Sequence, residues 1–311
     1  TPRIETSWIE TSWIGTLWIE ARVNGGRVDT DEAALLARKT WRTVEPLHGM
    51  IYFVPEAAEE YGALGITGTS GYFASRAAPM GAVSAEVVIS TFYNFKPELV
   101  HAAIPAAWAI ATPEDLVAAR FRAVDRAYRR LLGDDVVESD AMGRAAELAH
   151  LVADDASTRL EGRPLCAGHA RLSWPDEPHL ALWHAQSILR EFRGDAHVAL
   201  LVTHGLSAID ALITHGAGGE VPLGLLRSTR GWSDQEWAAG VASLQERGWL
   251  AAGTGEEATF TEWGAGQRQE IEAVTDRLAA SPYAHLGDEC CAELRSLTRP
   301  WSRVVSEVLF R

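Results

Sequence analysis

The sequence has few of the residues and motifs that mark a reaction or a membrane protein. Its three cysteines, Cys166 and the adjacent Cys290 and Cys291, form neither a disulfide framework nor the spacing of a zinc site. No apolar run approaches the length of about 18 residues that spans a bilayer, and the N-terminus does not resemble a signal peptide. Neither a dinucleotide fingerprint nor a Gly-x-Ser-x-Gly elbow is present. We therefore predict a cytoplasmic protein that needs no membrane, cofactor or metal.

Positive charge is also scarce. The net charge is −14, and only Lys39 and Lys96 are lysines among the 28 basic residues. Such an excess of acid disfavours a polyanionic partner. The preference for arginine, together with abundant alanine and glycine, indicates a GC-rich genome and suggests an actinobacterial source. At 311 residues and 47% apolar content, the chain is long enough to bury a full core and to form two domains.

Aromatic residues are concentrated between residues 45 and 105, among small residues and prolines. Aromatic side chains with a few hydrogen-bonding tips are typical of a pocket for an organic ligand. We predict that such a pocket binds a small aromatic or anionic molecule, with polar groups joining it from residues 189–197. The predicted ligand-binding residues are Tyr52, Phe53, Tyr72, Phe73, Arg76, Tyr93, Asn94, Phe95, Arg190 and Arg193. A buried Arg76 would need an anionic partner, for which Glu56 or Glu86 is available.

Three residues are candidates for catalysis: His197, Asp195 and His48. Asp195 could orient His197 as a general base, which makes a metal-independent hydrolase an alternative function. The competing interpretation is that Asp195 caps a helix and that His48 is a core histidine bonded to the backbone. The sequence does not decide whether the protein is an enzyme.

Periodicity predicts a mainly α protein. Thr112-Pro113-Glu114 has the residue types of a helix start. Residues 179–192 and 195–215 are expected to form two helices that are separated at Gly194. Nearer the C-terminus, Ser233 and Glu236 form a capping box, and Gly248 ends that helix.

Two short strands, Trp249-Leu250 and Thr259-Phe260, are expected to flank a turn, with Thr261 capping the next helix. This order predicts a winged helix-turn-helix with a short two-stranded wing, as in MarR-type regulators. The charge disfavours DNA as its partner, because residues 215–287 hold ten acidic residues against five arginines. We therefore expect the winged helix to serve packing in a homodimer, with a ligand-responsive transcriptional regulator as the alternative.

Several long motifs resemble an actinobacterial family of SalK-like helix-turn-helix proteins. They are EPLHGMIYFVPE (45–56), GYFASRAAPMGAVSAEVV (71–88), TFYNFKPELV (91–100), LREFRGDAHVALL (189–201), RGWSDQEWAAGV (230–241) and EAVTDRLAASPYAHLG (272–287). The resemblance implies a helix-turn-helix component and no established chemistry. We predict a Trp-rich extension (1–30), a helical ligand-pocket body (31–215) and a winged-helix domain with C-terminal helices (216–311). The extension repeats Trp8, Trp13 and Trp18 every five residues.

Overall fold

The computed structural model describes residues 30–219, 221, 223–253 and 258–309, so the Trp repeat of the extension lies outside the described residues. Almost every described element is an α-helix, which confirms the mainly α prediction. The first eight helices are α1 (Thr30–Gly49), α2 (Pro55–Ala63), α3 (Gly68–Ala77), α4 (Ala85–Phe92), α5 (Pro97–Ala103), α6 (Pro113–Leu132), α7 (Asp134–Val137) and α8 (Asp140–Ser157). The others are α9 (Pro164–Ala170), α10 (Pro178–Thr203), α11 (Ala208–Ala217), α12 (Leu223–Thr229), α13 (Asp234–Glu246), α14 (Glu262–Leu278), α15 (Ala280–Leu286) and α16 (Asp288–Leu309).

Local capping determines where several helices begin. Thr112 accepts a hydrogen bond from the Asp115 N–H and forms a capping box at the start of α6. Ser233 and Glu236 form the predicted box at α13, and Thr261 caps α14. These three predictions are confirmed, because a side-chain oxygen at the N-cap satisfies an otherwise unpaired backbone donor.

The predicted helix break at Gly194 is wrong. Helix α10 runs without interruption through Arg193, Gly194 and Asp195, since one glycine inside a helix costs only about 1 kcal/mol. The chain turns instead at Gly205, whose φ of 64° places it in the left-handed region. Ser207 then starts α11 with a capping box to Asp210.

Helix α10 is the centre of the larger of two hydrophobic clusters. It packs against α8, α9, α1, α6 and α14, and its residue Trp183 is one of the largest fully buried side chains. The last helix, α16, packs along α1, and its Leu294 and Val305 belong to this same cluster. The C-terminal helices α15 and α16 therefore share their core with the body.

A second hydrophobic cluster holds α11, α12 and α13 together. It is formed mainly by Leu212, Ile213, Leu226, Trp237 and Leu244. A Cβ atom on Gly240 would lie 2.7 Å from Ile213 Cδ1, so glycine allows α13 to approach α11 closely. The cluster begins at Leu201, before residue 216, and excludes α15 and α16. The boundary predicted between residues 215 and 216 stays a prediction, although the two clusters do not follow it.

The predicted two-stranded wing is not seen. Within the described residues, the chain after α13 makes one isolated antiparallel bridge, between Leu250 and Phe260. Helix α14 starts at Glu262, directly after the bridge, because the Thr261 hydroxyl donates to the Gly248 carbonyl and caps the helix. The pairing consists of two backbone hydrogen bonds, from the Ala251 N–H to the Thr259 carbonyl and from the Thr261 N–H to the Trp249 carbonyl, which is too short to form two strands. The predicted wing tip, Glu256-Glu257, lies outside the described residues.

No single helix of the described chain is long and apolar enough to cross a membrane. Helices α10 and α11 pass that test of length and composition only as a pair, across a bend of 106°.

Candidate functional site

The aromatic residues singled out in the sequence pack closely on one another. The Tyr72 ring lies 5.5 Å from that of Tyr52 and 5.4 Å from that of Phe95, between centroids, and the Phe73 and Phe95 rings are 4.9 Å apart. Phe73 is completely buried and Phe95 nearly so. Phe53, by contrast, is 55% exposed. Helix α3 and the segment after α4 thus form a filled aromatic cluster, with Phe53 on its outside.

Arg76 projects from α3 and pairs with Glu191 of α10. Its guanidinium donates to both carboxylate oxygens, at 3.1 to 3.3 Å, and also to the Tyr72 hydroxyl. Burial raises the pKa of Glu191, but Arg76 and Arg190 outweigh it and hold that pKa at about 2. The structure therefore brings the two predicted halves of the site together here, and the internal partner of Arg76 is Glu191 instead of Glu56 or Glu86.

The other two predicted arginines are held by carboxylates. Arg190 pairs with Glu45 and lies over the Tyr52 ring. Arg193 faces another direction, where it bonds Glu272 and Asp276 at 2.9 and 3.0 Å. Arg190 thus belongs with the aromatic cluster, and Arg193 joins α10 to α14.

His48 is buried beside the aromatic cluster and stacks on Trp183, with 5.2 Å between ring centroids. Within the described chain, neither of its ring nitrogens has a hydrogen-bond partner. Burial lowers the pKa of His48 to about 3, and the neighbouring Arg120 adds to this effect. The imidazole is therefore neutral at pH 7.

Asp195 and His197 do not meet, although they are two residues apart. Successive helical positions point about 100° apart, so residues i and i+2 lie on different faces. Asp195 accepts a hydrogen bond from the Cys166 N–H at 3.0 Å, while His197 Nδ1 lies 3.0 Å from the Thr275 hydroxyl. The pair that the hydrolase hypothesis requires is not formed, and the hypothesis has no support in this geometry.

Cys166 is equally unsuited to nucleophilic chemistry. The thiol is completely buried, and burial raises its pKa to about 12. Within the described chain, no group of three His, Cys, Asp or Glu side chains is arranged to hold a metal ion.

Tyr93 and Asn94 connect the body to the three-helix unit of α11, α12 and α13. Tyr93 has a φ of 54°, which is strained for a residue with a side chain. Its hydroxyl donates to the Leu206 carbonyl, just before α11. The Asn94 carbonyl accepts from the Trp232 indole N–H. The two residues thus act as structural contacts with the three-helix unit.

The turn between α12 and α13 rests on the aromatic cluster. The Arg230 guanidinium lies 4.4 Å from the centroid of the Phe95 ring, and the Lys96 N–H donates to the Arg230 carbonyl at 3.0 Å. Gly231 has a φ of 82°, and a Cβ atom there would lie 2.6 Å from Leu99 Cδ1. Any rearrangement of the aromatic cluster would therefore act directly on this turn.

Two of the acidic residues that counted against DNA are neutralised by neighbouring groups. Glu236 accepts from the Ser233 N–H and hydroxyl, and lies 2.8 Å from the Lys96 ammonium. Asp234 lies 2.5 Å from Arg227. The charge at the start of α13 is thus largely compensated, and Lys96 comes from a distant part of the chain.

A family model described as a helix-turn-helix family matches residues 37–310. The chain belongs to this helix-turn-helix family. The expectation that DNA is not a partner is contradicted, because a helix-turn-helix family suggests DNA binding. The match does not reach the narrower SalK-like or actinobacterial assignment, which stays a prediction. No curated protein and no solved structure matches the chain.

A set of buried polar residues around α10, formed by Arg120, His169 and His184, was not predicted from the sequence. Arg120 is only 3% exposed, and it lies on the same face of α6 as Leu116, Ala119 and Ala127, which are all buried. That spacing was a usable signal, since an arginine on an apolar helical stripe is an exception. His169 and His184 are also buried and also lack partners for both ring nitrogens. Nothing in their local sequence indicated that they would meet Arg120.

Proposed function

We propose that the protein is a helix-turn-helix regulator that binds DNA through α13 and responds to a small molecule in its helical body. The main support for DNA binding is that α11, α12 and α13 pack around one hydrophobic cluster, in a chain that belongs to a helix-turn-helix family. In such units the last of the three helices enters the major groove.

The outward face of α13 is compatible with close approach to DNA. Its exposed positions include Gln235, Ala238, Ala239, Ala242 and Ser243. The alanines are small, so the helix can lie deep in a groove, and the Gln235 amide can form two hydrogen bonds with an adenine edge.

Few cations lie around this unit, so the electrostatic contribution to DNA binding should be small. Lys96, Arg227, Arg230 and Arg247 are the basic residues of α12, α13 and the segments next to them. Three of them are already paired with carboxylates, Lys96 with Glu236, Arg227 with Asp234 and Arg247 with Asp210. A slope of log K against log salt of about −3.6 for each protomer, which requires all four to neutralise phosphates, is therefore an upper limit. The proposal therefore predicts binding that depends on base and shape contacts more than on charge.

The ligand-responsive part is supported by the contact between body and turn. Arg76, Tyr72 and Phe95 form a continuous path from Glu191 to Arg230. A ligand that repacks these rings would shift the α12–α13 turn and change DNA affinity. We propose an aromatic or anionic organic molecule as this ligand, and a homodimer as the form that binds DNA.

The DNA-binding part is tested by selecting duplexes from a random pool with the purified protein, followed by fluorescence anisotropy on the selected sequence. Ala239→Glu places a carboxylate on the outward face of α13 and should weaken binding at least about 100-fold, by repulsion from the phosphates. Ala118→Glu, at an exposed position of α6, is the matched control and should bind like the wild type. Failure to enrich any sequence, or equal affinity of the two variants, would contradict the proposal. A palindromic selected site would support the dimer.

A further inference from the structure

Arg120 is a buried cation without an anionic partner. Its guanidinium donates to the Ser75 carbonyl at 3.1 Å and to the Tyr52 hydroxyl at 3.3 Å, and both acceptors are neutral. No carboxylate of the described chain pairs with it, and its Nε–H has no acceptor. A buried charge is expensive unless an opposite charge compensates it. Apart from these two acceptors, the charge is met only by the faces of the Tyr52 and Trp183 rings, whose centroids lie 5.7 and 5.1 Å from the guanidinium carbon, and no anion of the described chain balances it.

Two histidines face the same small cavity as Arg120. The cavity has a volume of about 10 Å³ and is lined by Arg120, His169, Trp183 and His184, among other residues. Both nitrogens of His169 and of His184 lack partners. Burial lowers the pKa of His184 to about 4 and that of His169 well below its usual value. Both rings are neutral at pH 7, and each therefore carries one N–H that can donate to an anion.

The geometry points to an anion-binding site at Arg120, His169 and His184, which takes a single monatomic anion such as chloride. The size limit follows from the cavity, which has room for about one water-sized group. The guanidinium supplies the charge and the imidazoles supply further donors. Polyatomic anions such as sulfate and carboxylates are too large for this cavity.

Chloride combines a single negative charge with this size, whereas the carboxylate of an organic molecule does not fit the cavity. The site contacts α3, because the Arg120 guanidinium donates a hydrogen bond to the Ser75 carbonyl. Ser75 is next to Arg76 in that helix, so the site adjoins the aromatic cluster. Only the role of the anion as an effector rests on the proposed function. Anion binding itself is measured without DNA, so the anion site and the proposed DNA-binding function can be refuted independently.

The test measures thermal unfolding of the full-length protein during titration with sodium formate, sodium chloride or sodium benzoate, at an ionic strength held constant with sodium sulfate. A ligand of the folded state raises the unfolding temperature in a saturable manner. We expect saturation by chloride in the wild type, and no saturable response to formate or benzoate. Arg120→Met should weaken that binding at least about tenfold, since it removes a charged hydrogen-bond donor. Arg122→Gln, on the exposed side of the same helix, should leave it unchanged.

The three anions test the size limit. A response to chloride above that to formate and benzoate supports a site for a monatomic ion. The absence of a saturable response to chloride, a response to formate or benzoate that equals or exceeds it, or equal responses of Arg120→Met and wild type, would overturn the site. If Arg120→Met does not fold, wild-type crystals soaked in sodium bromide provide the second measurement. An anomalous peak in contact with Arg120 supports the site, and its absence overturns it.

Discussion

Replacing Glu191 with glutamine should destabilise the protein by several kcal/mol, because it leaves Arg76 without a carboxylate partner. The Glu191 side chain is only 2% exposed and that of Arg76 only 14%, so solvent screens their interaction little. Removal of one partner from a buried pair costs about 3–5 kcal/mol. The pKa gives a similar magnitude. A decrease from 4.5 in the unfolded chain to about 2 in the folded protein corresponds to about 3 kcal/mol.

The same prediction has a definite pH dependence. Because folding lowers this pKa, the stabilisation is complete above pH 4.5 and declines as the pH falls towards 2. Urea unfolding at several values between pH 7 and pH 3, followed by tryptophan fluorescence, gives the free energy of unfolding of the wild type and Glu191→Gln. Their difference should be largest at pH 7 and should shrink in acid.

Glu147→Gln is the control, since that glutamate is 68% exposed and pairs with Arg144 at the surface. It should change stability by less than about 1 kcal/mol. A loss below 1 kcal/mol for Glu191→Gln, or a difference that does not vary with pH, would refute the assignment of a charged, buried Arg76–Glu191 pair.

Three further predictions follow from the packing and burial. Gly240→Val should clash with Ile213 and destabilise the three-helix unit by about 1–3 kcal/mol, measured by urea unfolding. His48→Phe should keep the stacking on Trp183 and flatten the acid sensitivity of stability. Folding lowers the pKa of His48 from 6.5 to about 3, so its contribution is complete above pH 6.5 and is lost below it, by at most about 5 kcal/mol. Cys166 should not react with a thiol reagent at pH 8 in the native protein, and should react after denaturation.

Local signals in the sequence predicted local structure well. The capping residues Thr112, Ser233 and Thr261 all start helices as expected, since a cap depends on residues only three positions away. Gly194 and Gly205 show the limit of such signals. Both glycines lie in the stretch of chain that forms α10 and leads into α11, but only Gly205 has a positive φ. The choice between them depends on tertiary packing around α10.

The candidate site was only partly predictable, for a related reason. Composition located the aromatic cluster, and Arg76 was recognised as a buried arginine that needs an anion. Its partner Glu191 lies 115 positions away in the chain, a distance over which no periodicity connects two residues. Arg193 and His197 were assigned to the same site because they lie together in the polar stretch 189–197. A helix separates such neighbours onto different faces.

The mistaken expectation that DNA is an unlikely partner arose because charges were counted along the sequence. The count took no account of which charged residues lie close together in the structure. Residues 215–287 are acidic as a segment, but Glu236 is paired with Lys96, which lies outside that segment. The same glutamate also forms the capping box of α13. Its presence at this position is explained by helix capping and is not evidence against DNA binding. Net charge limits the strength of non-specific attraction to phosphates, whereas under the proposed function the outward face of α13 would determine which bases are contacted. A helix-turn-helix protein with little free positive charge is therefore expected to bind weakly to random DNA, and to depend on a matching sequence for its affinity.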